Sequence, residues 1–304
     1  MGNKREIPTI LPGRRGSGRV GGLDDAPPAG FWSLVLGRFD FGRPRTNDQK
    51  PAGGAISYIP LEPNPSTIPA KLSLMTKIGI MGAMTQELEG LKENLENMRC
   101  ETRRGIDFFY GTLHGKDVIL VQCGIGKVNA AMTTTLLLEQ GIEKLIFTGV
   151  AGGLESGLEV GDLVISTDLV QHDVDVTALG YEIGLIPDEK LSWSADPELR
   201  TLALEVAGQL ENRKAVLGRI LSGDQFIASP EKVDRLRETF GGACTEMEGA
   251  AVAQVAAKFG VPFVVIRSLS DSANGGAKRD YNEWMPIVAQ NAKAVVRGML
   301  ERMG

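Results

Sequence analysis

The sequence predicts an α/β fold, a three-layer sandwich with a central mixed sheet flanked by helices. Three observations lead there. Continuously apolar runs of roughly four to eight residues recur, the pattern of strands covered on both faces. Helical stretches are interspersed among them, which layers helices against a sheet. The chain has 304 residues, 42% of them apolar, enough to bury a substantial core.

Each element follows in order. Ile78-Gly-Ile-Met81 reads as a short buried strand, with a helix from about Thr85. Phe108-Phe-Tyr-Gly-Thr-Leu113 and Val118-Ile-Leu-Val-Gln122 read as strands. Residues 127–139, rich in Ala, Thr and Leu, read as a helix. Leu145-Ile-Phe-Thr-Gly149 is a strand expected to end in a glycine turn, and residues 163–170 form another. A helix over 197–210 precedes the strand 218–222. Helices near 230–239 and 246–259, a strand at 263–267 and a helix over 282–302 complete the pattern. In such folds ligands sit beyond the carboxyl ends of the strands, so the residues there become the candidates.

Residues 1–74 differ. Segments such as Pro12-Gly-Arg-Arg-Gly-Ser-Gly-Arg19 and Pro63-Asn-Pro-Ser-Thr-Ile-Pro69 are rich in Gly, Arg and Pro, and apolar periodicity is nearly absent. They are expected to be a disordered extension, or to precede a natural start at Met75, with one domain over 75–304.

Composition excludes several function classes. A net charge of -5 and a pI near 5.3 give no general attraction to nucleic acid or anionic lipid. No run approaches the roughly 20 apolar residues of a membrane span, and no secretory signal is seen, so a cytoplasmic location is expected. Cys100, Cys123 and Cys244 lack metal-type or redox spacing and read as reduced thiols. The only two histidines, His114 and His172, argue against a His-based triad or a multi-histidine zinc site. No metal or organic cofactor is expected.

Two glycine patterns fail as motifs. Gly124-Ile-Gly-Lys127 lacks a P-loop's first glycine and its Ser or Thr, having Val121 and Val128 there, and Asn129 replaces the third glycine of a dinucleotide fingerprint. It and Gly149-Val-Ala-Gly-Gly153 read as tight turns with closely approaching backbone. His172, Asp173 and Asp175 read as solvated or turn residues.

Carboxylates remain at strand ends: Glu87 after the first strand, Glu246 and Glu248 opening a helix, and Asp271 after the last strand. Each also has a structural reading. Glu87 suits a helix N-terminus. Thr245-Glu-Met-Glu248 matches a capping box. Asp271 could cap a turn. Spacing alone leaves both readings open.

Residues 77–303 resemble the bacterial 5′-methylthioadenosine/S-adenosylhomocysteine nucleosidases. The resemblance runs through Ile78-Gly-Ile-Met-Gly-Ala-Met84 with Glu87, Gly124-Ile-Gly-Lys127, Ala151-Gly-Gly-Leu154 and His172-Asp-Val-Asp-Val-Thr-Ala-Leu-Gly-Tyr181. It continues through Ser222-Gly-Asp-Gln-Phe-Ile227, Glu246-Met-Glu248 and Arg267-Ser-Leu-Ser-Asp271. It implies a purine nucleoside phosphorylase/nucleosidase-like fold, a homodimer, and irreversible hydrolysis of both nucleosides to adenine and a thioribose. It assigns Asp271 as the acid that protonates adenine N7 and Glu87 as the base that activates water. Glu248 would accept from the ribose hydroxyls and Met247 would pack on the sugar. Phe226 would stack on adenine, and the Ile227 backbone would meet the base edge. Arg267 would lie near the water and Ser270 would support Asp271. Met84, Ile125 and Glu246 fall to substrate binding. Val176, Leu179, Tyr181 and Pro187 would close the partner subunit's alkylthio pocket.

The chemistry suits these residue types. Adenine leaves readily only when N7 is protonated, and its departure creates an oxocarbenium-like sugar that carboxylates stabilise. Two departures stand out: Val150 where the family usually has a serine, and Leu179 where it has an aromatic. Alternatives are aminodeoxyfutalosine hydrolysis, purine nucleoside phosphorolysis and non-catalytic nucleoside binding. A carboxylate at position 87 favours hydrolysis over phosphorolysis.

Overall fold

A computed structural model describes residues 76–273 and 277–303, so the extension expected over 1–74 lies outside the described residues. The chain runs β1 (Ile78–Gly82), α1 (Thr85–Lys92), β2 (Glu96–Arg103), β3 (Ile106–Leu113), β4 (Lys116–Gln122), α2 (Lys127–Leu138), β5 (Lys144–Gly153) and β6 (Leu163–Gln171). It continues through β7 (Trp193–Ser194), α3 (Pro197–Ala207), β8 (Ala215–Ser222), α4 (Pro230–Phe240), β9 (Cys244–Glu246), α5 (Gly249–Phe259), β10 (Phe263–Asp271) and α6 (Ala277–Arg302). A short 3-10 turn at Thr177–Leu179 lies between β6 and β7.

The strands form one mixed sheet in the order β10–β6–β8–β9–β5–β1–β4–β3–β2, with β7 beside β6. β10 also pairs in parallel with β5, so β5, β10, β6, β8 and β9 close into a ring of neighbours. The sequence does not announce this closure, because pairing partners leave no mark on local periodicity.

Helices cover both faces. Ile78 and Ile80 of β1 pack with Leu88 and Leu91 of α1, Ala203 of α3 and Val295 of α6. Met81 and Phe147 pack on the other face with Leu137 of α2 and Val252 of α5. The alternation along β1 is the period-2 geometry of a strand buried on both sides. Gly79 lacks a side chain for a packing reason: a Cβ there would stand 2.4 Å from Ile142 Cδ1.

Several expectations need correction. β2 is unannounced because its residues are mostly exposed and charged, as befits an edge strand. β7 and β9 are two and three residues long, below what periodicity can register. The run Gly149–Gly153, expected as a turn, continues β5, since its partners β10 and β9 extend beside it. The last strand likewise runs on to Asp271, and α5 begins at Gly249 rather than 246. By contrast, Gly124 and Gly126 do turn the chain from β4 into α2, at φ of 81° and 96°.

Candidate active site

The carboxyl ends of β1, β5, β9 and β10 open onto a cavity of about 270 Å³. Glu87, Glu246, Glu248 and Asp271 all line it, with Met84, Ile125, Phe226, Ile227, Met247 and Ser270. Every strand-end carboxylate singled out in the sequence therefore faces one space. Val150, Thr245, Gln225, Ala83, Ala151 and Gly152 also contribute to the wall. Most of these extra residues carry no chemical signature that sequence could reveal.

Glu87 enters from the first turn of α1. Its Oε2 accepts from the amides of Ala83 at 2.7 Å and Met84 at 2.9 Å, and its Oε1 from Val150 at 3.1 Å. The carboxylate thus points back over the helix N-terminus and fixes the turn that follows β1. Gly149 makes room for it: a Cβ there would lie 2.5 Å from Glu87 Oε1 and 3.0 Å from Arg267 Nη1. A glycine inside a strand is the signature of such an approach. Burial pushes the Glu87 carboxyl above its usual range, outweighing Arg267 and the three amides that pull it down.

β9 and the start of α5 place two glutamates back to back. The expected capping box does not form, and Glu246 holds the helix start instead. Its oxygens accept from Gly249 N at 2.8 and 2.9 Å and from Glu248 N at 3.2 Å. Ser222 Oγ, at the end of β8, also donates to Glu246 and accepts from Ala250 N at 2.7 Å. Arg267 Nη2 completes the arrangement at 2.6 Å from Glu246 Oε2. Freed from capping, Glu248 reaches across to accept from Gly126 N at 2.8 Å. Burial, with Glu246 beside it, pushes the Glu248 carboxyl up to about 8.

Arg267 does not line the cavity. It is 1% exposed, stacks 4.1 Å from the Phe147 ring, and lies beneath the glutamates. Burial would lower its pKa, but the surrounding Glu246, Glu87 and Glu248 hold it above the usual value. It is a buried counter-charge to three acids.

Asp271 ends β10. The register between β10 and β5 shifts between Leu269 and Asp271, which sets Asp271 against Gly152. Bulges of this kind re-aim side chains next to sites. Asp271 Oδ2 accepts from Ser270 Oγ at 2.8 Å and Oδ1 from Ala273 N at 2.7 Å. One side chain therefore both caps the turn and lines the cavity.

The remaining candidates lie elsewhere. Val176, Leu179, Tyr181 and Pro187 sit on the connection from β6 to β7 and do not line this chain's cavity. Leu179 is 72% and Tyr181 39% exposed. His172 and Asp173 follow β6 rather than lying on it. Both lie in a turn, one of the two expected readings, and neither is solvated: His172 is buried, and Asp173 pairs with Lys127 Nζ at 2.6 Å. Cys123 and Cys244 are buried free thiols and Cys100 is exposed. Among the described residues no group of three or more His, Cys, Asp or Glu is arranged to hold a metal ion, and no helix is long and apolar enough to cross a membrane.

A cavity with carboxylates at several points around an apolar wall can donate a proton, accept one, and stabilise a cation between them. Comparison with known proteins identifies the family. A model of the phosphorylase superfamily matches residues 77–301. The 5′-methylthioadenosine/S-adenosylhomocysteine nucleosidase of Tolumonas auensis is 43% identical over 229 residues, covering 75% of this chain and all of that protein. The nucleosidase of the same name from Neisseria meningitidis, solved with methylthio-immucillin-A, is 38% identical with a TM-score of 0.72, over 75% of this chain and 100% of that one. The futalosine hydrolase of Helicobacter pylori strain 26695 superposes with a TM-score of 0.72 at 37% identity, over 75% of this chain and 99% of that one. This chain belongs to the 5′-methylthioadenosine/S-adenosylhomocysteine nucleosidases of the phosphorylase superfamily.

Proposed function

We propose that the chain hydrolyses the N-glycosidic bond of 5′-methylthioadenosine and S-adenosylhomocysteine, releasing adenine and a 5′-thioribose. The observation that carries this reading is the charge of the cavity wall. Glu87, Glu246, Glu248 and Asp271 line it, and among its described lining residues none is Lys or Arg. A phosphate nucleophile would meet acidic side chains whose counter-charge, Arg267, lies buried beneath the wall and out of its reach, whereas a neutral water meets no such repulsion. The one cation beneath, Arg267, is committed to Glu246.

In this reading adenine enters between Phe226 and Ile227, with N7 towards Asp271. Protonation of N7 by Asp271 lets the C–N bond break. Glu87, ionised as the base, stabilises the positive charge that develops on the sugar, and Glu248 adds the dipole of its carboxyl group. Glu87 takes the proton of the attacking water, and burial makes it a stronger base than an exposed glutamate. Glu248 accepts from the ribose diol and Met247 packs on the sugar. Ser270 orients Asp271, while Arg267 steadies Glu246 and, through charge, Glu87. Met84 and Ile125 flank the sugar.

We further infer a homodimer, in which Val176, Leu179, Tyr181 and Pro187 cover the 5′ end of the partner's site. The exposure of Leu179 and Tyr181 supports it. The enzyme would act in the cytoplasm, in methionine salvage. The likeness to a futalosine hydrolase makes aminodeoxyfutalosine a second substrate to test.

The decisive assay is adenine release from methylthioadenosine by the purified chain, with and without phosphate. Phosphate-independent release is expected. Release only with phosphate would move the reading to a phosphorylase. Turnover of aminodeoxyfutalosine alone would move it to that substrate.

A further inference from the structure

One cluster beside the cavity has no part in the chemistry above. Lys127 Nζ lies 2.6 Å from Asp173 Oδ1 and 3.1 Å from Gln171 Oε1. The two charged side chains are 17% and 13% exposed. Asp173 Oδ2 accepts from Asp224 N at 2.9 Å, and Asp224 Oδ1 accepts from Lys127 N at 2.8 Å. The cluster is thus a closed loop of contacts joining the turn before α2, the end of β6 and the segment after β8.

Each joined segment carries part of the cavity. The first holds Ile125, and its Gly126 amide binds Glu248. The third leads two residues on to Phe226. Gly126 is crowded by the same cluster, since a Cβ there would sit 3.1 Å from Asp224 Oδ1. Its φ of 96° leaves it without the steric restraint of a side chain. Its position must come from its neighbours, and Lys127 is the next residue.

We propose that Lys127 and Asp173 are positioning residues that hold Gly126 and the Phe226 segment in register, and so orient Glu248 towards the ribose diol. Neither touches substrate. Asp173 is kept below the usual carboxylate range, because its hydrogen bonds from Lys127 and Asp224 outweigh the effect of burial, so its carboxylate is ionised at neutral pH. Small displacements at a reacting centre cost large factors in rate, and buried pairs of this kind are used to fix geometry.

The proposal rests on the ribose role assigned to Glu248, and the test separates the two. The variants are Lys127→Met, the near-isosteric Asp173→Asn, and Lys127→Arg. For methylthioadenosine, Lys127→Met and Asp173→Asn are expected to lower kcat/KM by roughly tenfold, chiefly through KM. The preference for methylthioadenosine over its 2′-deoxy analogue should shrink by a similar factor, and Lys127→Arg should restore most of it. A merely structural role would lower the active fraction for both nucleosides alike and leave their ratio unmoved. That outcome, with wild-type turnover intact, overturns the proposal.

Amide hydrogen exchange reads the same geometry without turnover. In Lys127→Met the Gly126 and Asp224 amides should exchange at least about tenfold faster, with the Val150 amide on Glu87 unchanged. Equal exchange at Gly126 in both proteins overturns the proposal. Absent wild-type turnover with faster Gly126 exchange would instead support the clasp and count against the assigned reaction.

Discussion

The two ends of the sheet solve different problems. At one end β5, β10, β6, β8 and β9 close on one another, and the nine residues of β10 are all buried. At the other the sheet runs out through β4 and β3 to β2, whose Glu101 and Arg103 pair in solvent. Around and beneath the cavity Glu87, Glu246, Glu248, Asp271 and Arg267 are each 8% exposed or less; the open end spreads its charges into water. The lesson is that the same residue types do different work by depth. A glutamate at 87 or 248 is pushed up by burial, whereas Glu101 is held below its usual value, chiefly by hydrogen bonds from Arg103 and Arg99.

Matched substitutions at the two ends sharpen this contrast. The largest effect is expected for Asp271→Asn, which keeps an oxygen to accept from Ala273 N and turns an NH2 donor towards the Ser270 hydroxyl, which can accept, but removes the acid. Turnover should fall by about 10²–10⁴ with Tm nearly unchanged, while Glu101→Gln leaves adenine release unaltered. Near-full activity in Asp271→Asn would remove it from the role of acid.

Gly149→Ala comes next. Its methyl would displace Glu87, and about 10²-fold loss of kcat/KM is expected. On the β3–β4 turn Gly115 has φ of 75° and open space around it. There alanine costs only backbone strain, about 1–2 kcal/mol, visible in Tm and not in activity. Equal activity losses at both glycines would break the comparison.

Arg267→Met strips the counter-charge from buried acids. A loss of roughly 3–5 kcal/mol is expected in urea unfolding, against no measurable change for Arg103→Met. An unaltered midpoint in Arg267→Met would mean that the glutamates simply take up protons.

The smallest effect concerns pH. Glu248 has a folded value near 8 against 4.5 unexposed to the fold. It therefore favours the folded state fully below about pH 4.5, and that contribution is lost as pH rises through about 8. Glu248→Gln should raise Tm relative to wild type at pH 8.5 by roughly 2–4 °C per kcal/mol relieved, with the difference shrinking towards pH 4.5. A constant difference across that range would contradict a raised carboxyl.

Legibility follows the same divide. Strands such as β1, β4 and β10 are readable because burial on both faces demands unbroken apolar runs. β2 is not, because an exposed edge tolerates any polar residue. Glu87 and Asp271 could be singled out because they stand at strand ends, where α/β folds open. Ser222 and Gln225 could not, since a serine at a strand end or a glutamine in a loop has many structural uses.

Sequence alone determined the layering, because apolar period and strand length follow directly from what each element must bury. It also determined which acids stand at strand ends. Only the tertiary structure decided that β10 pairs with both β6 and β5, so that acids from α1, the β9–α5 junction and β10 share one cavity. It alone decided that Glu246 caps α5 while Glu248 is released towards Gly126. These outcomes depend on distances between residues far apart in the chain, and on how much water is excluded between them. Local sequence encodes neither.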